Sequence, residues 1–120
     1  CAHAGGLIIN PDGLRNQLEG CIAQTLSRAL HEEVTFDRAR VTSLSWSSYP
    51  ILTFPEVPSI EVALLDRPTL PPLGAGEAAT APVAAALANA VFDATGVRLR
   101  TVPFTAGRVK ESLKAAVSRL

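Results

Sequence analysis

The stretch that most constrains this chain opens at Asn10-Pro11-Asp12. Asn is a favoured N-cap, Pro is tolerated at the first helical position, and an acid in the first turn meets the positive end of the helix dipole. Beyond it, Leu14, Leu18, Cys21, Ile22, Leu26, Ala29 and Leu30 recur at helical spacing. The pattern predicts an amphipathic helix from Pro11 to about Glu33. The rest of the chain must then cover its apolar stripe.

The covering material is aliphatic. Apolar residues make up 48% of the 120 residues but aromatics only 5%, so the core must come from Ala, Val, Leu and Ile. This length supports one domain, residues 1–120, with a modest core. Lys plus Arg balance Asp plus Glu at 11 each, which leaves no net field to gather nucleic acid. Cys1, Cys21, His3 and His31 show no zinc-site spacing, and no apolar run has the length of a membrane span. The chain has no Met, shows no signal peptide and opens Cys-Ala-His-Ala-Gly-Gly, so it reads as a segment of a longer protein.

Other elements follow from local pattern. Leu7 to Ile9 reads as the end of a strand. Val34–Phe36 and Val41–Trp46 form a candidate hairpin around Asp37-Arg38-Ala39-Arg40. Pro50 makes Tyr49–Phe54 an edge or irregular strand, while Ile60–Leu65 is a strand ended by Pro68. An Ala-rich helix is expected from about Thr80 to Thr95, with Pro82 in its first turn and Gly96 as its stop. Val97–Val102 reads as a short strand and Ala106–Leu120 as a last helix. The expected class is α+β: a long N-terminal helix, a small, mostly antiparallel sheet and two C-terminal helices.

Chemistry concentrates in Pro71-Pro72-Leu73-Gly74-Ala75-Gly76-Glu77. Two glycines in three residues let a backbone come close to a ligand or adopt a positive φ. Glu77 stands just before the Ala-rich helix, whose positive end favours a carboxylate. Such a carboxylate suits a general base; on the residues alone, a helix-capping acid beside a glycine turn is the simpler reading. The loop also matches a dinucleotide fingerprint, Gly74-x-Gly76-x-x-Ala79. The diproline separates it from any strand, and Asp93 falls inside a helix, so that reading is set aside. On the first helix, Gly13, Gln17, Gly20, Gln24 and His31 lie within roughly 60° of one another. Amide side chains with glycines between them fit a polar cofactor such as a pterin; a solvated face or an interface with further polypeptide is the plainer alternative.

Taken in order, Asn10-Pro11-Asp12, Gln17-x-Glu19-Gly20, Gln24-x-Leu26, Glu32-Glu33, Gly74-x-Gly76-Glu77 and Ala88-Asn89-Ala90 to Gly96-x-Arg98 resemble the C-terminal segment of the large subunit of xanthine dehydrogenase/aldehyde oxidase-type molybdenum hydroxylases. Arg15-Asn16-Gln17, Ser27-Arg28-Ala29-Leu30 and Pro72 to Glu77 bring it nearest the isoquinoline 1-oxidoreductase β-subunit branch. Ala4-Gly5-Gly6 and Thr25 depart from the common pattern, which often has Asp-Cys-Gly and Gly there.

The resemblance implies a molybdopterin cofactor, in bacteria usually the cytosine dinucleotide form, whose dithiolene holds the molybdenum. It makes Glu77 the base toward the metal-bound hydroxyl. It sets Gln17 against the pterin, with Gln24 a further contact, and lines the molybdenum site with the Gly74-Ala75-Gly76 backbone. It implies three partners: the remainder of the large subunit, a separate [2Fe-2S] subunit, and an N-heterocycle or aldehyde substrate hydroxylated with water-derived oxygen. The isolated segment is expected neither to retain molybdenum nor to turn over, and to self-associate through surfaces that meet the remainder. A non-catalytic assembly module of the same fold is the alternative. Cytoplasmic and exported forms are both compatible with the resemblance.

Overall fold

The computed structural model describes residues 1–118. Its elements run β1 (Ala2–His3), α1 (Pro11–Leu30), a 3-10 turn (Phe54–Glu56), β2 (Ala63–Leu64), α2 (Thr80–Thr95) and α3 (Ala106–Val117).

α1 begins where the sequence predicts. The Asn10 side chain accepts from the Gly13 N–H at 2.9 Å, and Pro11 follows. The helix ends at Leu30, three residues before the expected Glu33. The N–H groups of His31 and Glu32 both turn back to the Ser27 carbonyl, at 2.9 and 3.3 Å. The three residues beyond the helix are used as ties instead. His31 faces Glu56 (3.8 Å), Glu32 accepts from the Tyr49 hydroxyl (2.8 Å), and Glu33 accepts from Arg108 on α3 (2.7 Å).

The sheet differs from expectation. It has two strands, and they are parallel: Ala2 pairs with Ala63 and His3 with Leu64. The expected strand Ile60–Leu65 is reduced to Ala63–Leu64 because its partner is the short N-terminal segment, not a hairpin neighbour. Leu7–Ile9 is not a strand, because Gly6 turns the chain at φ 77° immediately before it. A side chain at Gly6 would collide with the Pro71 carbonyl oxygen, so this close approach requires glycine. The Leu7 N–H then bonds the Leu70 carbonyl (3.1 Å) and the Leu73 N–H bonds the Gly5 carbonyl (2.8 Å).

The expected hairpin is a single antiparallel bridge, Phe36 with Val41. Asp37 caps its turn, and beyond it the Ser45 hydroxyl bonds those of Ser47 and Ser48 locally, so no ladder extends. Tyr49–Phe54 stays irregular up to the 3-10 turn. Val97–Val102 is not a strand either. There Arg98 folds back over the Phe92 ring (3.6 Å) and onto Asn89 (2.6 Å).

α2 matches its expected span, and Gly96 ends it in the left-handed conformation at φ 73°. α3 ends at Val117; the last two residues of the expected helix lie outside the described residues. The core is thin. Leu18 and Cys21 of α1 pack with Ala79 at the head of α2, and Leu14, Ile22, Val62 and Leu64 close around them. A second contact seats Phe104 on the end of α1, its N–H bonded to the Ala29 carbonyl (2.6 Å).

Candidate functional site

The segment Leu73–Glu77 is pinned at both ends. Its entry is held by the Leu73–Gly5 bond, and at its exit the Glu77 carbonyl accepts from the Thr80 N–H at 3.0 Å. Between these, the buried thiol of Cys21 donates to the Gly76 carbonyl at 2.9 Å. This contact docks the loop on α1, and the Arg15 guanidinium bonds the Val62 carbonyl (2.7 Å) on the approach.

Sequence-predicted site residues fall around this dock. Gln17 stands four residues before Cys21 and Gln24 three after it, and both are surface residues of α1. Gly74, Gly76 and Glu77 border the loop's solvent side. Neither loop glycine has a positive φ, and a Cβ at either would meet nothing within 4 Å. Their bare backbone is thus not demanded by packing within the described residues. Gly20 is open in the same way. Gly13 is explained locally instead, because a Cβ there would crowd the Asn10 cap.

The capping reading of Glu77 does not hold. The N-cap of α2 is Ala79, with no side-chain cap bond, and among the described residues no donor reaches the Glu77 carboxylate. The dinucleotide reading also fails, because no strand follows α2 among the described residues. No group of three or more His, Cys, Asp or Glu is placed to hold a metal ion among those residues. No helix among them is long and apolar enough to cross a membrane.

Residues 1–58 match the family model for the molybdopterin cofactor-binding domain. A nicotinate dehydrogenase subunit of Pseudomonas putida is 51% identical over 111 residues, 92% of this chain and 9% of that protein. The chain belongs to the molybdopterin-binding family of the xanthine dehydrogenase type. The β-subunit of isoquinoline 1-oxidoreductase from Brevundimonas diminuta is 33% identical over 86% of this chain and 13% of its own length. The crystal structure of quinoline 2-oxidoreductase from Pseudomonas putida 86 superposes with a TM-score of 0.84 at 31% identity, covering 94% of this chain and 15% of that one. The chain therefore spans about a tenth to a seventh of the length of these relatives.

Sequence reasoning misses the role of Cys21. Its spacing sets it among the apolar helix positions, and it is indeed buried there. Only the fold reveals that its thiol has a carbonyl partner 55 residues away. Gly6 is missed as well; a Gly-Gly pair followed much later by Pro-Pro gives no local sign that the two backbones touch.

Proposed function

We propose that residues 1–120 form one segment, at the C-terminal end of a molybdopterin-binding subunit, that helps hold the cofactor and contributes the catalytic base of a hydroxylase. The observation that carries this is the Cys21–Gly76 dock, which sets a bare glycine backbone and an unengaged carboxylate, Glu77, beside the amide-bearing helix α1.

The residues fit a molybdopterin on two counts. Gly74 and Gly76 leave space where side chains would otherwise stand. Gln17 and Gln24 offer amides that both donate and accept, the chemistry a pterin edge requires. When bound, the cofactor, in its cytosine dinucleotide form, supplies the two-electron redox centre for oxygen insertion from water.

The chain's own residues do the rest. Gln17 and Gln24 would hold the pterin through hydrogen bonds, with the Gly74-Ala75-Gly76 backbone as the further contact. The Glu77 carboxylate would act as the base, taking up the proton that the water-derived oxygen gives up. Cys21 keeps the peptide before Glu77 in register. A separate [2Fe-2S] subunit would carry the electrons away.

The favoured substrate is an N-heteroaromatic, from the 51% identity with a protein named for nicotinate and the fold shared with quinoline 2-oxidoreductase. An aldehyde is the second choice, since the molybdenum-binding subunit of an Escherichia coli aldehyde oxidoreductase is 33% identical. The 120 residues alone neither retain molybdenum nor turn over.

The test uses the complete subunit with its iron–sulfur partner. Glu77→Gln and the unaltered enzyme are matched for molybdenum, and anaerobic reduction by N-heterocycles and aldehydes is followed. Loss of a general base lowers the rate by about 10²–10⁴-fold. Reduction at the unaltered rate would remove Glu77 from the mechanism and leave the loop a structural element.

A further inference from the structure

Residues 34–57 carry large apolar side chains that the described fold does not use. Phe54 is 94% exposed, Phe36 and Leu44 76%, and Trp46 75%. Residues 41–55 contain no Asp, Glu, Lys or Arg, whereas Asp37, Arg38, Arg40 and Glu56 stand at the margins. An uncharged, aromatic centre with a charged rim is the composition of a buried interface.

The segment is not a loose strap. Thr35 and Thr42 are joined through the Thr42 N–H to the Thr35 carbonyl (2.7 Å) and through their hydroxyls (2.8 Å). Asp37 accepts from the N–H groups of Ala39 and Arg40 at 2.7 and 2.9 Å. Glu56 accepts from the Thr53 N–H and hydroxyl at 2.7 and 2.6 Å. The Leu52 N–H donates to the buried Ser27 hydroxyl of α1 (2.9 Å). Polar bonds thus fix the arm's shape while its apolar side chains stay exposed, and a surface preshaped in this way loses little entropy on docking.

The chain as a whole leaves more surface uncovered than a compact monomer does. The chain exposes 8535 Å², whereas a compact monomer of its mass exposes about 6,200 Å². The excess, about 2,300 Å², exceeds the roughly 800 Å² that one partner contributes to a standard interface. The radius of gyration, 17.8 Å, likewise exceeds the about 14 Å of a compact chain this long.

We infer that residues 34–57 are an interface arm whose Phe36, Leu44, Trp46 and Phe54 seat on an apolar, uncharged face of the same large subunit, outside these 120 residues. The inference rests on the proposal that the chain works as a segment of such a subunit. The same-chain occupant is favoured over a second copy because 94% of this chain superposes on quinoline 2-oxidoreductase, where the matched part is 15% of one continuous polypeptide.

The experiment uses the complete subunit in complex with its iron–sulfur partner. Phe54→p-benzoylphenylalanine is photo-activated and the cross-linked peptides are sequenced. The expected product joins position 54 to a peptide of the same chain outside residues 1–120 and runs at the mass of one large subunit on a denaturing gel. A link to a second copy or to another polypeptide overturns the inference. Hydroxyl-radical footprinting of the unsubstituted complex covers a variant that fails to fold. Trp46 and Phe54 are expected to lose the labelling they show in the unfolded subunit, and full labelling overturns the inference. Glu77→Gln kinetics test the functional proposal separately: a same-chain cross-link with an unimpaired Glu77→Gln enzyme keeps the arm and rejects the base.

Discussion

The Cys21 thiol and the Gly76 carbonyl, 55 residues apart, meet at 2.9 Å and join the longest helix to the glycine loop. Removing the donor leaves a carbonyl unsatisfied in a part-buried place and frees the peptide before Glu77. Cys21→Ala is expected to lower kcat/KM of the complete enzyme by about 10- to 10²-fold, the scale of a misplacement near 1 Å. Cys21→Ser, which keeps a donor, is expected to recover most of this. The check is steady-state kinetics at matched molybdenum content. Equal rates for Ala and Cys would mean that the loop holds its position without the thiol.

Arg108 uses one guanidinium nitrogen to bond both Glu33 oxygens, at 2.7 and 2.9 Å, and another to bond the Pro103 carbonyl at 3.2 Å. The pair is about a third to a half exposed, so its coupling is expected at or below about 1 kcal/mol. Arg108→Ala also forfeits the Pro103 bond, and Arg108→Lys cannot span both acceptors. Both substitutions are expected to speed proteolytic cleavage between residues 100 and 106, with Glu33→Gln the mildest. Faster cleavage in Glu33→Gln than in Arg108→Ala would contradict this division of labour.

The helices are legible in the sequence because each carries its own punctuation: Asn10-Pro11 opens α1, and Gly96 closes α2 at the residue expected. The sheet is not. Its register depends on residues 2–3 finding residues 63–64, a pairing that no local alternation encodes. The β-prone stretch from Val34 to Phe54 reads as strands because its composition suits a half-buried surface. The structure leaves Phe36, Leu44, Trp46 and Phe54 exposed instead. At the site, the resemblance supplies Glu77 and the glycines by position, while the Cys21 bond that docks them becomes visible only once α1 and the loop are folded together.

Glycines separate into two kinds, and alanine distinguishes them. Gly6→Ala meets the Pro71 carbonyl and an unfavourable φ, so it is expected to cut the yield of folded subunit. Gly20→Ala fills open space inside a helix and is expected to be neutral or stabilising by about 1 kcal/mol. Gly74→Ala and Gly76→Ala also meet nothing in this chain, so folding is expected to survive. If the cofactor lies along that backbone, molybdenum per purified subunit falls for both. Metal analysis beside a thermal melt reads the two effects independently; full molybdenum content in both loop variants would move the cofactor away from this loop.

The arm should respond to pH in opposite senses at its two extremes. Bonds from the Ala39 and Arg40 N–H groups hold Asp37 below its ordinary value of 3.8, and the Thr53 hydroxyl and N–H hold Glu56 below 4.5. Groups with lowered folded values stabilise fully above the unfolded value, and the contribution is lost as pH falls through the folded one. Tyr49 is shifted the other way: its bond to Glu32 raises it above 10.0, so its contribution is present below that value and lost as pH rises through the folded one. Amide protection factors of Ala39, Arg40 and Thr53, corrected for intrinsic exchange, are therefore expected to hold between about pH 5 and 9. They should drop on acidification into the range below the ordinary carboxylate values. Asp37→Asn should abolish the acid drop at Ala39 and Arg40 while leaving Thr53 responsive. Protection that stays flat down to about pH 2 in the unaltered protein would show that backbone packing, not these carboxylates, sets the shape of the arm.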